Sequence, residues 1–166
     1  MRRALMGGLL LFFLIGSGHA LEEPEGRVIL TVSGNITATN AGNEALFDRG
    51  MLEALEQHTT RTHTPWHDGL ATFTGPLGRD VLEKVGAQGT MLRVTALNDY
   101  AANVPVADFM EYDVLLAMTL DGAPLRVRDQ GPLFIIYPFD EFPELLTEKV
   151  MTRSVWQVVH IDVLPE

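Results

Sequence analysis

Apolar residues along this chain recur at two spacings, and most of the chain follows the spacing of two that is typical of strands. The segment RVILTVSG, residues 27–34, is rich in β-branched residues and ends at a Gly-Asn turn, so it predicts a first strand. Further strands are predicted at LATFTG, MLRVTAL, LFIIYP and SVWQVVHIDVLP. The alternation in the last segment predicts two strand faces, composed of Val155, Val159, Ile161 and Val163 and of Trp156, Val158, His160 and Leu164.

The helical spacing of three and four is confined to short segments. Asp48 is a suitable N-cap for a short helix whose apolar residues share one face. Residues 79–85 predict a second helix, which ends before Gly86. The segment PELLTEKV predicts a third. We therefore expect only two or three short helices.

A hairpin signal supports a fold dominated by strands. Asp121-Gly122 lies between two strand-like segments, residues 113–120 and 124–127, and Asp-Gly is a favoured hairpin turn. Many short strands with a few helices predict a single α+β domain with a mixed sheet.

The first twenty residues predict a secretory signal peptide. Arg2 and Arg3 precede an apolar run over residues 4–15, and Gly18-His19-Ala20 supplies the small residues that signal peptidases require. We expect cleavage after Ala20, which would leave residues 21–166 as a periplasmic domain. An uncleaved membrane anchor is the alternative.

Composition narrows the function of that domain. The chain of 166 residues has a net charge of −10, and removal of two arginines makes the mature chain more acidic still, which argues against a nucleic-acid partner. It contains no cysteine, so it has neither disulfides nor a thiolate that could bind a metal.

A polar cluster interrupts the strand pattern in the middle of the chain. Asn98, Asp99 and Tyr100 follow MLRVTAL, where a strand should pass into a loop. Asn and Asp are common turn residues, so the cluster is either a turn or a group of ligand contacts.

Three other clusters carry candidate chemistry. HTPWH, residues 63–67, has two histidines at the spacing of a helical zinc site, but Pro65 between them favours a loop and argues against metal. RVRDQGP contains Arg128 in a charged turn, and RSVWQ contains Arg153 and Trp156. Each also has a simpler interpretation, as a solvated ion pair or as a core aromatic residue.

The order of these clusters resembles a known family. The motifs that carry the resemblance are RSVWQ, Thr64-Pro65-Trp66, Gly75-Pro76-Leu77, Asn98-Asp99-Tyr100, Pro105, Asp108, Asp113, Leu115-Leu116-Ala117, Asp121-Gly122 and Gly131-Pro132-Leu133. Together they resemble the oxidoreductase molybdopterin-binding domain family, which has the fold of the sulfite oxidase catalytic domain. The resemblance implies one such domain over residues 21–166.

One departure from the family limits what the resemblance implies. The molybdenum enzymes of this fold bind the metal through a cysteine in the segment that corresponds to residues 59–66, and here that segment holds threonines and histidines. We therefore expect no molybdenum. The chain is more similar to small exported pterin-binding proteins of the PruR type, which implies a non-catalytic protein that binds a reduced pterin. It also implies regulation of a membrane-bound enzyme that makes and degrades cyclic di-GMP, and hence of biofilm formation.

A pterin would be bound by residues of the four clusters. An aspartate could accept from the 2-amino and N3–H groups, aromatic side chains could stack on the ring, and the asparagine and an arginine could serve the other polar positions. The candidate contacts are Trp66, Asn98, Asp99, Tyr100, Arg128, Arg153 and Trp156. Two alternatives stay open: a molybdopterin-dependent oxidoreductase, and an interaction domain that binds no ligand.

Overall fold

The computed structural model describes residues 21–165, and within that range the chain forms short strands and short helices in a single α+β domain. The strands are Val28–Gly34 (β1), Ala45–Asp48 (β2), Gln57–Thr64 (β3), His67–Pro76 (β4), Met91–Ala96 (β5), Ala101–Pro105 (β6), Leu115–Ala117 (β7), Thr119–Leu120 (β8), Ala123–Pro124 (β9), Phe134–Ile136 (β10) and Val158–Leu164 (β11). The α-helices are Arg49–Glu53 (α1), Gly78–Lys84 (α2), Val106–Glu111 (α3) and Glu148–Arg153 (α4), and 3-10 turns span Val127–Asp129 and Pro143–Leu145. The predicted fold class is confirmed.

A five-stranded sheet in the order β2-β1-β11-β5-β6 carries the main core. Strands β1 and β11 are parallel, whereas the other neighbours are antiparallel. Alternate residues such as Leu30, Val94 and Ile161 are fully buried on one face of this sheet. Because side chains alternate across a strand, the intervening polar residues face outward.

The remaining strands form a four-stranded sheet, β3-β4-β8-β9, and a β7-β10 pair. Their buried residues, including Phe73, Leu115 and Phe134, make a second and smaller hydrophobic cluster. Trp66, in the turn between β3 and β4, packs against both clusters. The tip of this hairpin therefore lies where the two parts of the core meet.

Strand β11 differs from the predicted alternation. Its pairing with β5 shifts register between Val158 and His160, which marks a β-bulge. As a result Val158 is buried together with Ile161 and Val163, whereas Val159 is only half-buried. The predicted faces were therefore wrong at Val158 and Val159, because a bulge inserts a residue and reverses the alternation on one side of it.

Local signals for turns and helix starts were more reliable. The Asp48 side chain accepts a hydrogen bond from Met51 N–H at 2.9 Å and caps α1 as expected. Asp121 and Gly122 both have positive φ angles, 48° and 80°, and connect β8 to β9. The predicted strand over residues 113–120 is instead divided into β7 and β8, and the one expected over residues 124–127 is limited to β9.

The helix count was also wrong, because the described residues contain four α-helices where two or three were expected. Helix α3 was not predicted, and the segment PELLTEKV forms a 3-10 turn followed by α4 and is not one helix.

The predicted signal peptide lies outside the described residues. None of the helices between residues 21 and 165 has the length and apolar character that crossing a bilayer requires.

Candidate functional site

The polar cluster in the middle of the chain is the tight turn that joins β5 to β6. Ala96 N–H donates to Tyr100 O at 2.8 Å, and Asp99 N–H donates to Ala96 O at 3.1 Å. Asp99 adopts a left-handed conformation with φ of 64°, which aspartate tolerates better than most residues. Asn98 Oδ1 accepts from Tyr100 N–H at 3.2 Å. The turn interpretation of this cluster is thus confirmed.

The same turn also forms one wall of a cleft at the end of the five-stranded sheet. The opposite wall comes from the last turn of α4 and the segment that leads into β11. The lining residues are Trp66, Ala96, Asn98, Tyr100, Met151, Thr152, Ser154, Val155 and Trp156. The cleft has a volume of about 340 Å³, which is at the lower end of the range for small-molecule sites, roughly 300–1,000 Å³.

Aromatic side chains dominate the cleft. The ring centroids of Trp66 and Trp156 are 6.0 Å apart with an interplanar angle of 72°, and each ring also contacts Phe134. Trp156 is 38% exposed and Tyr100 is 45% exposed. Large aromatic surfaces are usually buried, so these two leave apolar ring area available to a flat ligand. The chain has two tryptophans, and both line this cleft.

The polar groups of the cleft are neutral. The Tyr100 hydroxyl donates to Thr152 O at 2.9 Å and so bridges the two walls, while Ser154 Oγ donates to Val150 O at 3.0 Å. The Asn98 amide NH₂ group takes no part in the turn bond and can donate to a ligand. Among the described residues the lining contains no charged side chain. Such a cleft suits an uncharged heteroaromatic ring.

The structure brings four of the seven predicted contacts together. Trp66, Asn98, Tyr100 and Trp156 all line the cleft, although Trp66 is separated from the others by more than thirty residues of sequence. The sequence predicted that these four side chains could contact one ligand, and the structure shows that they line the same cleft.

The three charged candidates lie elsewhere. Asp99 is exposed at the apex of the turn and is outside the cleft lining. The Arg128 side chain is 71% exposed and lies 3.8 Å from Asp129. Arg153 donates from Nη1 to Asp108 Oδ2 at 2.8 Å, with both side chains only 14% exposed. The positions of these three residues give no support to direct ligand contacts.

Sequence reasoning missed the contribution of α4 to the cleft. Met151, Thr152, Ser154 and Val155 line it beside Trp156. A signal for them was present, because Ser154 and Val155 are part of the RSVWQ motif and Met151 and Thr152 directly precede it. That signal was not used, since none of these side chains carries distinctive chemistry.

A polar network lies behind this second wall. Asp108 Oδ2 accepts a hydrogen bond from the Tyr137 hydroxyl at 2.8 Å as well as from Arg153. Burial, followed by the nearby Asp108 charge, raises the pKa of Tyr137 far above its ordinary value. The hydroxyl is therefore a permanent donor in this network at any physiological pH.

The histidines of HTPWH have separate partners. His63 Nδ1 lies 2.8 Å from Asp140 Oδ2, and the hydrogen bond from His63 lowers the pKa of that carboxyl group. His67 Nδ1 lies 2.8 Å from Thr64 Oγ1. In residues 21–165 there is no group of three or more His, Asp or Glu side chains that could hold a metal ion. The zinc interpretation gains no support from this arrangement.

These residues also test whether the cleft fits a molybdenum centre of the kind found in sulfite oxidase. Such a centre requires a thiolate ligand, and the chain contains no cysteine. The hydroxyl and imidazole groups of residues 62–67 are engaged with Asp140 and with one another. The aromatic lining fits the flat pterin ring, whereas the donor set does not fit the metal.

Comparison with known proteins identifies the family of the chain. The family model of the oxidoreductase molybdopterin binding domain matches residues 45–140, which is more than half of the chain. A search of curated proteins found no match. The matched range includes Trp66, Asn98 and Tyr100, and ends before the α4 wall of the cleft. The chain belongs to the oxidoreductase molybdopterin-binding domain family.

Proposed function

We propose that this protein is a non-catalytic, exported binding protein for a reduced pterin of the tetrahydropterin type. The observation that carries the proposal is the convergence of Trp66, Tyr100 and Trp156 with Asn98 on one cleft, in a chain of a molybdopterin-binding family that has no cysteine. Aromatic faces supply stacking, and neutral polar groups supply hydrogen bonds to ring positions. In this proposal the cleft binds a pterin ring, which is the organic part of the family's cofactor, without the metal.

The size of the cleft supports a ring-sized ligand. A volume of about 340 Å³ accommodates a bicyclic ring with a short substituent better than a full molybdopterin with its metal centre. The exposed faces of Tyr100 and Trp156 allow the ring to enter from solvent without prior opening of the core.

Regulation of a partner follows from the resemblance to PruR-type proteins. In this proposal the ligand-bound form acts on the periplasmic domain of a membrane-bound enzyme that makes and degrades cyclic di-GMP. A ligand can do so only if the partner binds the occupied and the empty forms with different affinities. Asn98, Tyr100 and Trp156 are exposed residues of the cleft lining, so a bound ring would change the surface there.

The test is an anaerobic calorimetric titration of the purified protein, residues 21–166, with tetrahydrobiopterin, accompanied by elemental analysis of the same sample. Saturable binding of one equivalent with no molybdenum is the expected result. Stoichiometric molybdenum in the purified protein would point to a molybdopterin-dependent oxidoreductase instead. Absence of both would leave an interaction domain that binds no ligand.

A further inference from the structure

The network of Asp108, Tyr137 and Arg153 lies behind the α4 wall of the cleft and joins the end of α4 to α3. Asp108 lies on α3, which follows β6 directly, and β6 begins immediately after Tyr100. Arg153 is the last residue of α4, and its neighbours Thr152 and Ser154 line the cleft. The ion pair therefore holds the end of α4, and with it the α4 wall of the cleft, against α3, which continues from the strand that follows the hairpin wall.

A second link joins the α4 wall directly to the wall formed by the β5–β6 turn, where the cleft is open to solvent. It is the hydrogen bond from the Tyr100 hydroxyl to Thr152 O, at 2.9 Å. Tyr100 is 45% exposed, so water competes for this bond, whereas the Asp108 and Arg153 side chains are each 14% exposed. Charged hydrogen bonds shielded from water are the stronger of the two kinds. The shielded ion pair is accordingly the stronger of these two constraints on the position of the end of α4.

Tyr137 fixes the orientation of the Asp108 carboxylate. It is fully buried, and its hydroxyl donates to the same Asp108 oxygen that accepts from Arg153. With two donors on one oxygen, the carboxylate has little freedom to rotate. Arg153 in turn holds the end of α4 in one place.

We propose that Asp108 and Arg153 are positioning residues that set the spacing of the cleft walls, with Tyr137 orienting Asp108. Arg153 acts through Asp108 and makes no contact with the bound ring. This inference rests on the proposed function for its ligand, but the spacing of the walls is a property of the ligand-free protein as well.

The first test needs no ligand. Acrylamide quenching of tryptophan fluorescence reports on Trp66 and Trp156, which are the two tryptophans of the chain and both line the cleft. We expect Asp108→Asn and Arg153→Met to raise the quenching constant while far-UV circular dichroism stays native. The matched control is Arg79→Met, which breaks the exposed ion pair with Asp113. Unchanged quenching in both network variants would overturn the proposal.

The second test is a double-mutant cycle on the affinity for tetrahydrobiopterin, measured by calorimetry. We expect each single variant to weaken binding about tenfold, as is common when a residue that orients ligand contacts is removed. The double variant Asp108→Asn/Arg153→Met should bind no more weakly than the weaker single variant, because both substitutions remove one link. Losses that multiply in the double variant would show that Arg153 contacts the ligand, and would overturn its assignment.

Milder variants keep the test usable if the charge changes prevent folding. Tyr137→Phe removes one hydroxyl, and Arg153→Lys retains the charge but not the planar donor group. Both variants should raise the acrylamide quenching constant, by less than Asp108→Asn and Arg153→Met do. An unchanged quenching constant in both would contradict the proposal. Failure of the parent protein to bind the pterin would remove the proposed function, whereas the quenching result would still decide the positioning role.

Discussion

The polar network behind the α4 wall and the aromatic rim of the cleft, formed by Tyr100 and Trp156, differ in their exposure to water. The network is shielded, whereas the rim is exposed. Arg153 Nη1 lies 2.8 Å from Asp108 Oδ2, and each side chain is only 14% exposed. Arg79 Nη2 lies 2.7 Å from Asp113 Oδ1, with side chains that are 33% and 59% exposed. The distances are nearly equal, so contact length does not distinguish the two pairs. Burial does, because removing one member of a shielded pair leaves an uncompensated charge, whereas an exposed charge is solvated by water.

The two aromatic residues of the rim are exposed, in contrast to the shielded network. Trp156 and Tyr100 keep ring surface exposed, although Phe134 and Tyr137 nearby are fully buried. Aromatic residues stabilise a fold most when they are buried, so exposed ring faces contribute less to stability than they could. The difference indicates that the shielded network maintains the shape of the cleft and that the rim is available for recognition.

The largest expected effect comes from breaking the shielded pair. Asp108→Ala should lower the free energy of unfolding by about 3–5 kcal/mol, since both Arg153 and the Tyr137 hydroxyl lose their partner. Asp113→Ala, which breaks the exposed pair, should cost about 0–1 kcal/mol. Urea denaturation of the two variants and the parent measures the difference. Equal losses would remove the distinction between the two pairs.

The next effect concerns the rim and ligand affinity. Trp156→Ala should weaken pterin binding by about 1–3 kcal/mol, or roughly 5- to 150-fold, because one stacking face is lost. Met110→Ala is a suitable control, since Met110 is 50% exposed and lies outside the cleft lining. Calorimetric titration of both variants measures the change, and an unaltered dissociation constant for Trp156→Ala would contradict a recognition role for this ring.

A smaller effect should appear as a change in the pH dependence of stability. The His63 hydrogen bond lowers the pKa of Asp140, so the folded state is stabilised while Asp140 is ionised. This contribution is present above the ordinary aspartate pKa of about 3.9 and is lost as the pH falls through the lower folded value.

The variant Asp140→Asn should therefore be less stable than the parent near pH 6, and the difference should shrink below about pH 4. Urea denaturation at about pH 6 and at several pH values below about 4 measures the difference. Asp68→Asn, at an exposed position in β4, serves as the control. A stability difference that does not change with pH would show that the ionised carboxylate is not the cause.

The smallest effect is expected at the apex of the hairpin. Asp99→Asn should leave pterin affinity within about twofold, because Asp99 lies outside the cleft lining and asparagine also tolerates a left-handed conformation. Calorimetric titration of Asp99→Asn and of the parent with the same pterin measures the two dissociation constants. A tenfold loss would restore the carboxylate contact expected from the sequence and would extend the recognition surface beyond the rim.

Much of the fold could be predicted from the sequence. Many strand positions and the helices α1 and α2 followed from short-range periodicity and turn residues, and the Asp48 cap and the Asp121-Gly122 hairpin are both present. The strands β2 and β6 and the helix α3 were not predicted. The bulge at Val159 was not predictable, because a single inserted residue is specified by pairing with β5 and leaves little trace in the pattern.

The candidate site was predictable only in part. Trp66, Asn98, Tyr100 and Trp156 were identified from the family resemblance together with their side-chain chemistry, and all four line the cleft. Arg153 was identified by the same reasoning, but the sequence contains no sign that Asp108 binds it from 45 residues away. A charged side chain bonds with whichever partner the fold brings near, so its role depends on long-range contacts.

Local chemistry along the chain was thus sufficient for the α+β class, the turns and the absence of a thiolate. These properties depend on residue identity and on neighbours a few positions apart. The cleft itself required the folded chain, since the β3–β4 turn, the β5–β6 turn and the end of α4 are far apart in sequence. Their convergence depends on sheet pairing and on contacts between distant segments, of which the shielded Asp108–Arg153 pair is one.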